Sequence, residues 1–128
     1  MFILNQQATS IFNNNGRMSN DYITVYNSNT ATWNNNGTLD NNVSTFYNET
    51  SATFNNDGTI NNTNGTAIYN QANSTFNNRG SLNNTYSSLE NNGNFTNSNT
   101  GTINHNSRTL NNNNFFENLG SVNNGVVA

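Results

Sequence analysis

The chain of 128 residues suits one domain, residues 1–128, and holds 38 Asn, 17 Thr and 12 Ser with no Cys, Pro or Lys. Three Arg against six carboxylates leave a net charge of −3, so there is no basic footprint for a nucleic acid partner and no thiol for a disulfide, a metal site or a nucleophile. Nothing approaches the ~20 successive apolar residues of a membrane span, and Phe2-Ile3-Leu4 is far too short for a signal-peptide core, so no membrane insertion is expected.

An apolar content of 30 % would leave an unperiodic chain disordered, but here the apolar residues keep a fixed phase. In chain order, a first unit brings Leu4, Phe12 and Met18, a second Val25, Trp33 and Leu39, and a third Phe46, Phe54 and Ile60. A fourth brings Ile68, Phe76 and Leu82, a fifth Leu89 and Ile103 with Asn97 at the ring position, and a sixth Leu110, Phe116 and Val122. The Gly two residues before each third member recurs at spacings of 21, 21, 22, 21 and 19 residues, a period that fits solenoids. Three apolar columns 6, 7 and 8 residues apart predict a coil with three sides. Each side is too rich in Thr and Asn for helix, and no 3.6-residue periodicity occurs. The expected fold is all-β: a single parallel β-solenoid of about six coils, three short strands each, without a capping helix and roughly 29 Å long at ~4.8 Å per coil.

Two residues before the ring column stand Ala31, Ala52, Ser74 and Phe95, which alternation places on the same inward face; in the fifth unit, with Asn97 at the ring position, the ring is expected to move two places along that face to Phe95. Thr32, Thr53, Thr75 and Thr96 lie between and are expected outside. The Asn-Asn-x-Gly segments read as corners in which Asn and Gly take left-handed conformations. Asn14, Asn35, Asn56, Asn78, Asn99 and Asn118 form one Asn column, and Asn20, Asn41, Asn62, Asn84 and Asn124 another, with His105 substituting in the fifth unit. Stacked amides of this kind can hydrogen-bond as ladders along the axis. Asp57 and Arg79, one coil apart at the same corner position, are expected in contact.

The pattern in Phe54-Asn-Asn-Asp-Gly-Thr-Ile-Asn-Asn62 resembles the coil repeats of filamentous-haemagglutinin-type proteins, over roughly residues 12 to 124. That resemblance implies a right-handed parallel β-helix, and a setting among secreted adhesins and surface filaments.

Catalysis is not expected, since Asp21, Asp40, Glu49, Asp57, Glu90 and Glu117 fall at different phases of the coil. His105 lacks companions for a metal site and reads as a replacement within an Asn ladder; no cofactor is implied. Asn-x-Ser/Thr sequons such as Asn42-Val-Ser44 arise by chance in this composition.

Two surfaces could bind something. The Thr column, with its neighbours Thr30, Ser51 and Asn73, resembles an ice-binding array, although Thr also simply suits exposed strands. Tyr26, Tyr47 and Tyr69 form a stack that could meet a glycan or another filament, or could merely stabilise the solenoid. The ends, Met1, Phe2, Ile3 and Leu4 against Val126, Val127 and Ala128, are apolar and show no polar or helical cap, so coil one of one copy is expected to stack on coil six of the next. The leading expectation is a structural, self-assembling filament protein, extracellular or at the cell surface, whose partner is itself; the alternative is an adhesive module binding glycans or ice.

Overall fold

One four-residue rule builds nearly every strand. Thr24-Val25-Tyr26-Asn27, Thr32-Trp33-Asn34-Asn35 and Thr38-Leu39-Asp40-Asn41 each turn residues one and three outward and bury residues two and four, as the two-residue period of a strand demands. Each strand therefore sends inward one apolar side chain followed by one Asn, except Thr102–Asn106, where His105 takes the place of the Asn.

The computed structural model describes residues 1–106 and 109–125. In chain order its strands are β1 (Phe2–Asn5), β2 (Ile11–Asn14) and β3 (Arg17–Asp21) in coil one, then β4 (Thr24–Asn27), β5 (Thr32–Asn35) and β6 (Thr38–Asn42) in coil two. Coil three holds β7 (Thr45–Asn48), β8 (Thr53–Asn56) and β9 (Thr59–Thr63), and coil four β10 (Ala67–Asn70), β11 (Thr75–Asn78) and β12 (Ser81–Thr85). Coil five holds β13 (Ser88–Asn91), β14 (Asn94–Asn97) and β15 (Thr102–Asn106), and coil six β16 (Thr109–Asn112), β17 (Phe115–Asn118) and β18 (Ser121–Asn124). Every third strand pairs in parallel, giving three six-stranded sheets: a first face β1-β4-β7-β10-β13-β16, a second running from β2 to β17 and a third from β3 to β18. This is the all-β parallel solenoid of about six coils expected from the period.

Between the three sheets runs a core one residue deep from each side. Val25, Phe46, Ile68 and Leu89 come from the first face, Trp33, Phe54, Phe76 and Phe95 from the second, and Leu39, Ile60, Leu82 and Ile103 from the third. Phe12, Trp33, Phe54, Phe76, Phe95 and Phe116 stack in sequence, with centroids 4.7 Å apart from Phe54 to Phe76 and from Phe76 to Phe95. Phe46 meets Trp33 and Phe54 edge-on, which locks the first face against the second. At the end coils, Ile3, Phe12, Met18, Leu110 and Phe116 are only half covered and Val122 is exposed, although each stands in its inward column.

The structure shifts several registers. Leu4 is not in the core: it is 59 % exposed, pairs with Tyr26, and leaves the inward place opposite Val25 to Ile3. The cause is a longer first corner, closed by the Ser10 N–H on the Gln7 carbonyl, between β1 and β2. Coil five redistributes residues between corners: the one from β13 to β14 is two residues shorter than its neighbour from β10 to β11, and the one from β14 to β15 two residues longer than that from β11 to β12. Phe95 therefore pairs directly with Phe76 and Phe116, without stepping along the face, and Asn97 pairs with Asn78. Asn97 thus takes the ladder place expected for Asn99, which is exposed on the lengthened corner. Thr96 accordingly leaves the Thr32-Thr53-Thr75 column for the next one, opposite Asn77.

The corner glycines also serve a different purpose from the one expected. Among the described glycines only Gly65 has positive φ, at 87°. Gly37, Gly58 and Gly80 stack so closely that a Cβ on any of them would strike the carbonyl oxygen of the glycine one coil below. Here Gly is required by close approach of backbone to backbone. The left-handed residues are instead Thr9, Asn29, Thr30, Thr50, Ser51 and Asn73 at the first-to-second corner and Tyr22, Val43, Asn64 and Tyr86 at the third-to-first.

Candidate functional site

The most ordered polar feature is internal. Three columns of buried Asn run along the axis, one inside each corner, because the fourth residue of every strand but β15 is an Asn in the inward place. The column after the second face is Asn14, Asn35, Asn56, Asn78, Asn97 and Asn118, joined at every step by an Nδ2 donating to the next Oδ1 at 2.7 to 2.8 Å. The second hydrogen of each Nδ2 goes to a backbone carbonyl of the following coil, as from Asn56 to Ser81. Such an amide uses both donors and its acceptor, so it is buried without an unmet group.

A second ladder, which the sequence reading missed, follows the first face: Asn5, Asn27, Asn48, Asn70, Asn91 and Asn112. Its members stand two residues after each first-face apolar residue, a spacing that would have found them. The third ladder, Asn20, Asn41, Asn62 and Asn84, continues to His105 and pairs in register with Asn124. Its amides make the ladder bond alone, while Ser44 and Thr66 hydroxyls satisfy the neighbouring carbonyls of Asn20 and Asn41. The looser third ladder is where an imidazole has been accommodated.

All three inner ladders share one polarity, each Nδ2 pointing toward the next coil. Outside, the sense reverses: Asn34 donates to Asn13, Asn55 to Asn34 and Asn77 to Asn55, and on the third face Asn61 donates to Asp40, Asn83 to Asn61 and Asn104 to Asn83.

His105 is 4 % exposed. Asn84 Nδ2 lies 3.5 Å from its Nδ1, which makes Nδ1 the acceptor and leaves the hydrogen on Nε2, a buried atom with no partner. Burial alone holds its pKa below 6.5. Among the described residues no group of three or more potential ligands could hold a metal ion. The charged groups sit outside: Arg79 forks onto Asp57 through Nε and Nη2, as the register predicts, and Arg17 Nε meets Asp40 at 2.7 Å. The Asn61 amide, and after it Arg17, hold the Asp40 carboxyl below the usual carboxylate value, and Arg79 does the same for Asp57.

On the first face Tyr26, Tyr47 and Tyr69 stack with centroids 5.1 Å apart and planes within 13°. Burial raises the pKa of the Tyr47 hydroxyl, with Tyr69, Tyr26 and Glu49 adding to the shift. The same outward column starts with Leu4 and ends with Glu90 and Asn111. On the second face the outward column is Ile11, Thr32, Thr53, Thr75, Asn94 and Phe115, so the threonines form a run of three bounded by other residues. Of the end residues, Met1, Phe2 and Leu4 are exposed and Ile3 is half covered; Val126, Val127 and Ala128 lie outside the described residues. No described helix is long and apolar enough to cross a membrane. Comparison with protein families, with curated proteins and with solved structures found no match.

Proposed function

We propose that this solenoid is a structural, non-enzymatic protein that joins end to end with copies of itself into filaments outside the cell. The observation that carries the reading is the common polarity of the inner ladders. In a head-to-tail joint, Asn112, Asn118 and Asn124 of coil six face the columns of Asn5, Asn14 and Asn20 in the next copy, in the same donor-to-acceptor sense as every internal step. Asn20 Oδ1 is a buried acceptor without a donor. In coil six the Nδ2 groups of Asn112 and Asn118 fall back on the nearby carbonyls of Asn114 and Gly120. The outer ladders match too: Asn13 would donate to Glu117, the next member of its column, just as Asn34 donates to Asn13.

Apolar contacts support the same joint. Ile3, Phe12 and Met18 are half covered on one end coil, as Leu110 and Phe116 are on the other, beside the exposed Val122. Among the described residues the outer edges of β1, β2, β3 and of β16, β17, β18 have no strand partner, and such edges readily recruit another chain. Contact between unlike faces leaves an open polymer. The resemblance of the repeat to filamentous-haemagglutinin-type coils supports a right-handed β-helix at a cell surface.

Electron microscopy with fibre diffraction tests the reading. Thin unbranched fibres with a ~4.8 Å axial repeat are expected, and Ile3→Lys with Val122→Lys should return them to monomers that keep β-sheet circular dichroism. Monodisperse monomers at high concentration would refute it.

A further inference from the structure

The chain contains five Tyr, and all of them lie on one side of the solenoid. Tyr26, Tyr47 and Tyr69 form the outward column of the first face, while Tyr22 and Tyr86 stand on the corner that leads into it. A Tyr kept only to stabilise a ladder would suit the outer columns of the other two faces equally well, yet in coils two to four, where the Tyr column runs, those carry only Asn, Thr and Ser besides Asp40. Tyr22, Val43 and Tyr86 are moreover exposed and held at φ of 48 to 53°, a conformation that bulky side chains avoid. The same corner turns left-handed at Asn64 on the way into coil four, so the strain belongs to the corner, and the choice of Tyr at two of its four exposed places is the feature that points outward.

We propose that this face binds an extended, neutral, β-(1→4)-linked glycan lying parallel to the solenoid axis across coils two to four. The ring spacing selects the ligand. Parallel rings in contact need only ~3.5–4.0 Å between planes, so centroids 5.1 Å apart require the three rings to slip like roof tiles. Each ring then leaves part of a face and its hydroxyl edge open, once per coil. A fully extended β-(1→4) glycan advances by nearly the same distance per sugar, so each pyranose would rest on one tyrosine and stay in step with the next. Helical glycans, such as β-(1→3) or α-(1→4) chains, lose that register within a few sugars.

The surroundings fit the class. Thr24 and Thr45 place hydroxyls beside the rings, and Ala67 keeps the floor flat at the third step. Glu49 beside Tyr47 and Glu90 at the end of the column place negative charge against the stack, which disfavours acidic glycans. Tyr22 and Tyr86 flank the face on its corner side. The inference is independent of filament formation, since it concerns a lateral face that end-to-end stacking leaves uncovered.

The test uses the whole chain with microcrystalline cellulose, chitin and cellohexaose as probes and curdlan, a β-(1→3) glucan, as the control. Pelleting with cellulose or chitin, calorimetric binding of cellohexaose and no retention on curdlan are expected. Tyr47→Ala removes the middle ring and should weaken cellohexaose binding about tenfold, the usual contribution of one aromatic contact. If that variant loses its β-sheet spectrum, Tyr47→Thr, which copies the residue type of neighbouring strand positions, serves instead. Absence of retention on both β-(1→4) polymers, equal retention on curdlan, or affinity unchanged in a folded Tyr47 variant overturns the proposal. So does a side-by-side dimer that Tyr47→Ala dissolves while the wild-type chain binds no glycan. Each of these outcomes is readable whether or not fibres form.

Discussion

At the residue scale the same amide does two different jobs according to the side of the strand. Asn56 points inward, gives both Nδ2 hydrogens away, to Asn78 Oδ1 and the Ser81 carbonyl, and accepts from Asn35. Asn55, its neighbour, points outward into a half-exposed ladder with Asn34 and Asn77. Asn56→Asp would replace two donors by a buried carboxylate facing the Oδ1 of Asn78, and should destabilise the protein by about 3 to 5 kcal/mol. Asn55→Asp keeps the bond from Asn77 and leaves its charge in water, so its cost should stay below about 1 kcal/mol. Urea melts of the two variants decide the point; similar losses would mean that the inner amides are not fully engaged. Part of this was legible. Period alone found Asn56 and Asn20, whereas the Asn27 ladder was hidden because Asn is so abundant that a third recurrence looked like background. Leu4 was misplaced because Leu and Ile are equally good core residues, and nothing in Phe2-Ile3-Leu4 shows which of them faces in.

At the scale of strands, corners and ladders, strand content was plain in the sequence but corner length was not. A Gly-anchored alignment treats coil five as one unit with a vacant ring position, because Gly101 keeps its spacing from Gly80. The chain instead shortens the corner at Gly93 and lengthens the one at Thr100, which keeps every strand in register. Strand pairing therefore outranks turn motif: a corner in solvent can gain or lose two residues, but an inward face cannot. The third ladder has its own weak rung. In the fold His105 is neutral, accepting at Nδ1 from Asn84, and burial lowers its pKa below 6.5. In the unfolded chain it titrates near its ordinary value of about 6.5. Above that pH both states are neutral and stability is complete. As pH falls the unfolded chain takes up the proton first, so stability declines until pH drops below the folded value. Thermal melts between about pH 7 and pH 5 should show this slope, and His105→Asn, which restores an amide rung, should flatten it. An identical slope in the variant would show that His105 does not titrate on unfolding in this range. The paired carboxyls of Asp40 and Asp57 act only in stronger acid, because their values lie below 3.8.

For the whole molecule, each coil touches only the coils above and below it, and stability becomes a sum over coils and their interfaces. Removing residues 38–58 excises β6, β7 and β8, one strand from each face, and joins Gly37 to Thr59. Thr59 already occupies the same column as Thr38, and Asn62 the same ladder as Asn41. The shortened chain can therefore stack β9 on β3 with all three ladders one rung shorter and every corner still above a corner of its own kind. It should fold with an unchanged type of β-sheet spectrum, a lower Tm and a urea m value reduced by about one sixth, since m follows the surface exposed on unfolding. Removing only residues 38–44, a single side, makes the opposite case, although each remaining strand keeps its own outward and inward residues. Phe46 would then follow Met18, Phe54 would follow Val25 and Ile60 would follow Trp33, so each later ring leaves the aromatic stack. The glycine corners, which tolerate no Cβ at their closest contacts, would lie against corners of another length. A core of this density cannot absorb that mismatch, and the seven-residue deletion should lose its cooperative melt. If both deletions melt alike, the faces are interchangeable and the coil is specified by the Asn ladders alone; if the larger deletion is the less stable of the two, a coil is not the unit of which this protein is built.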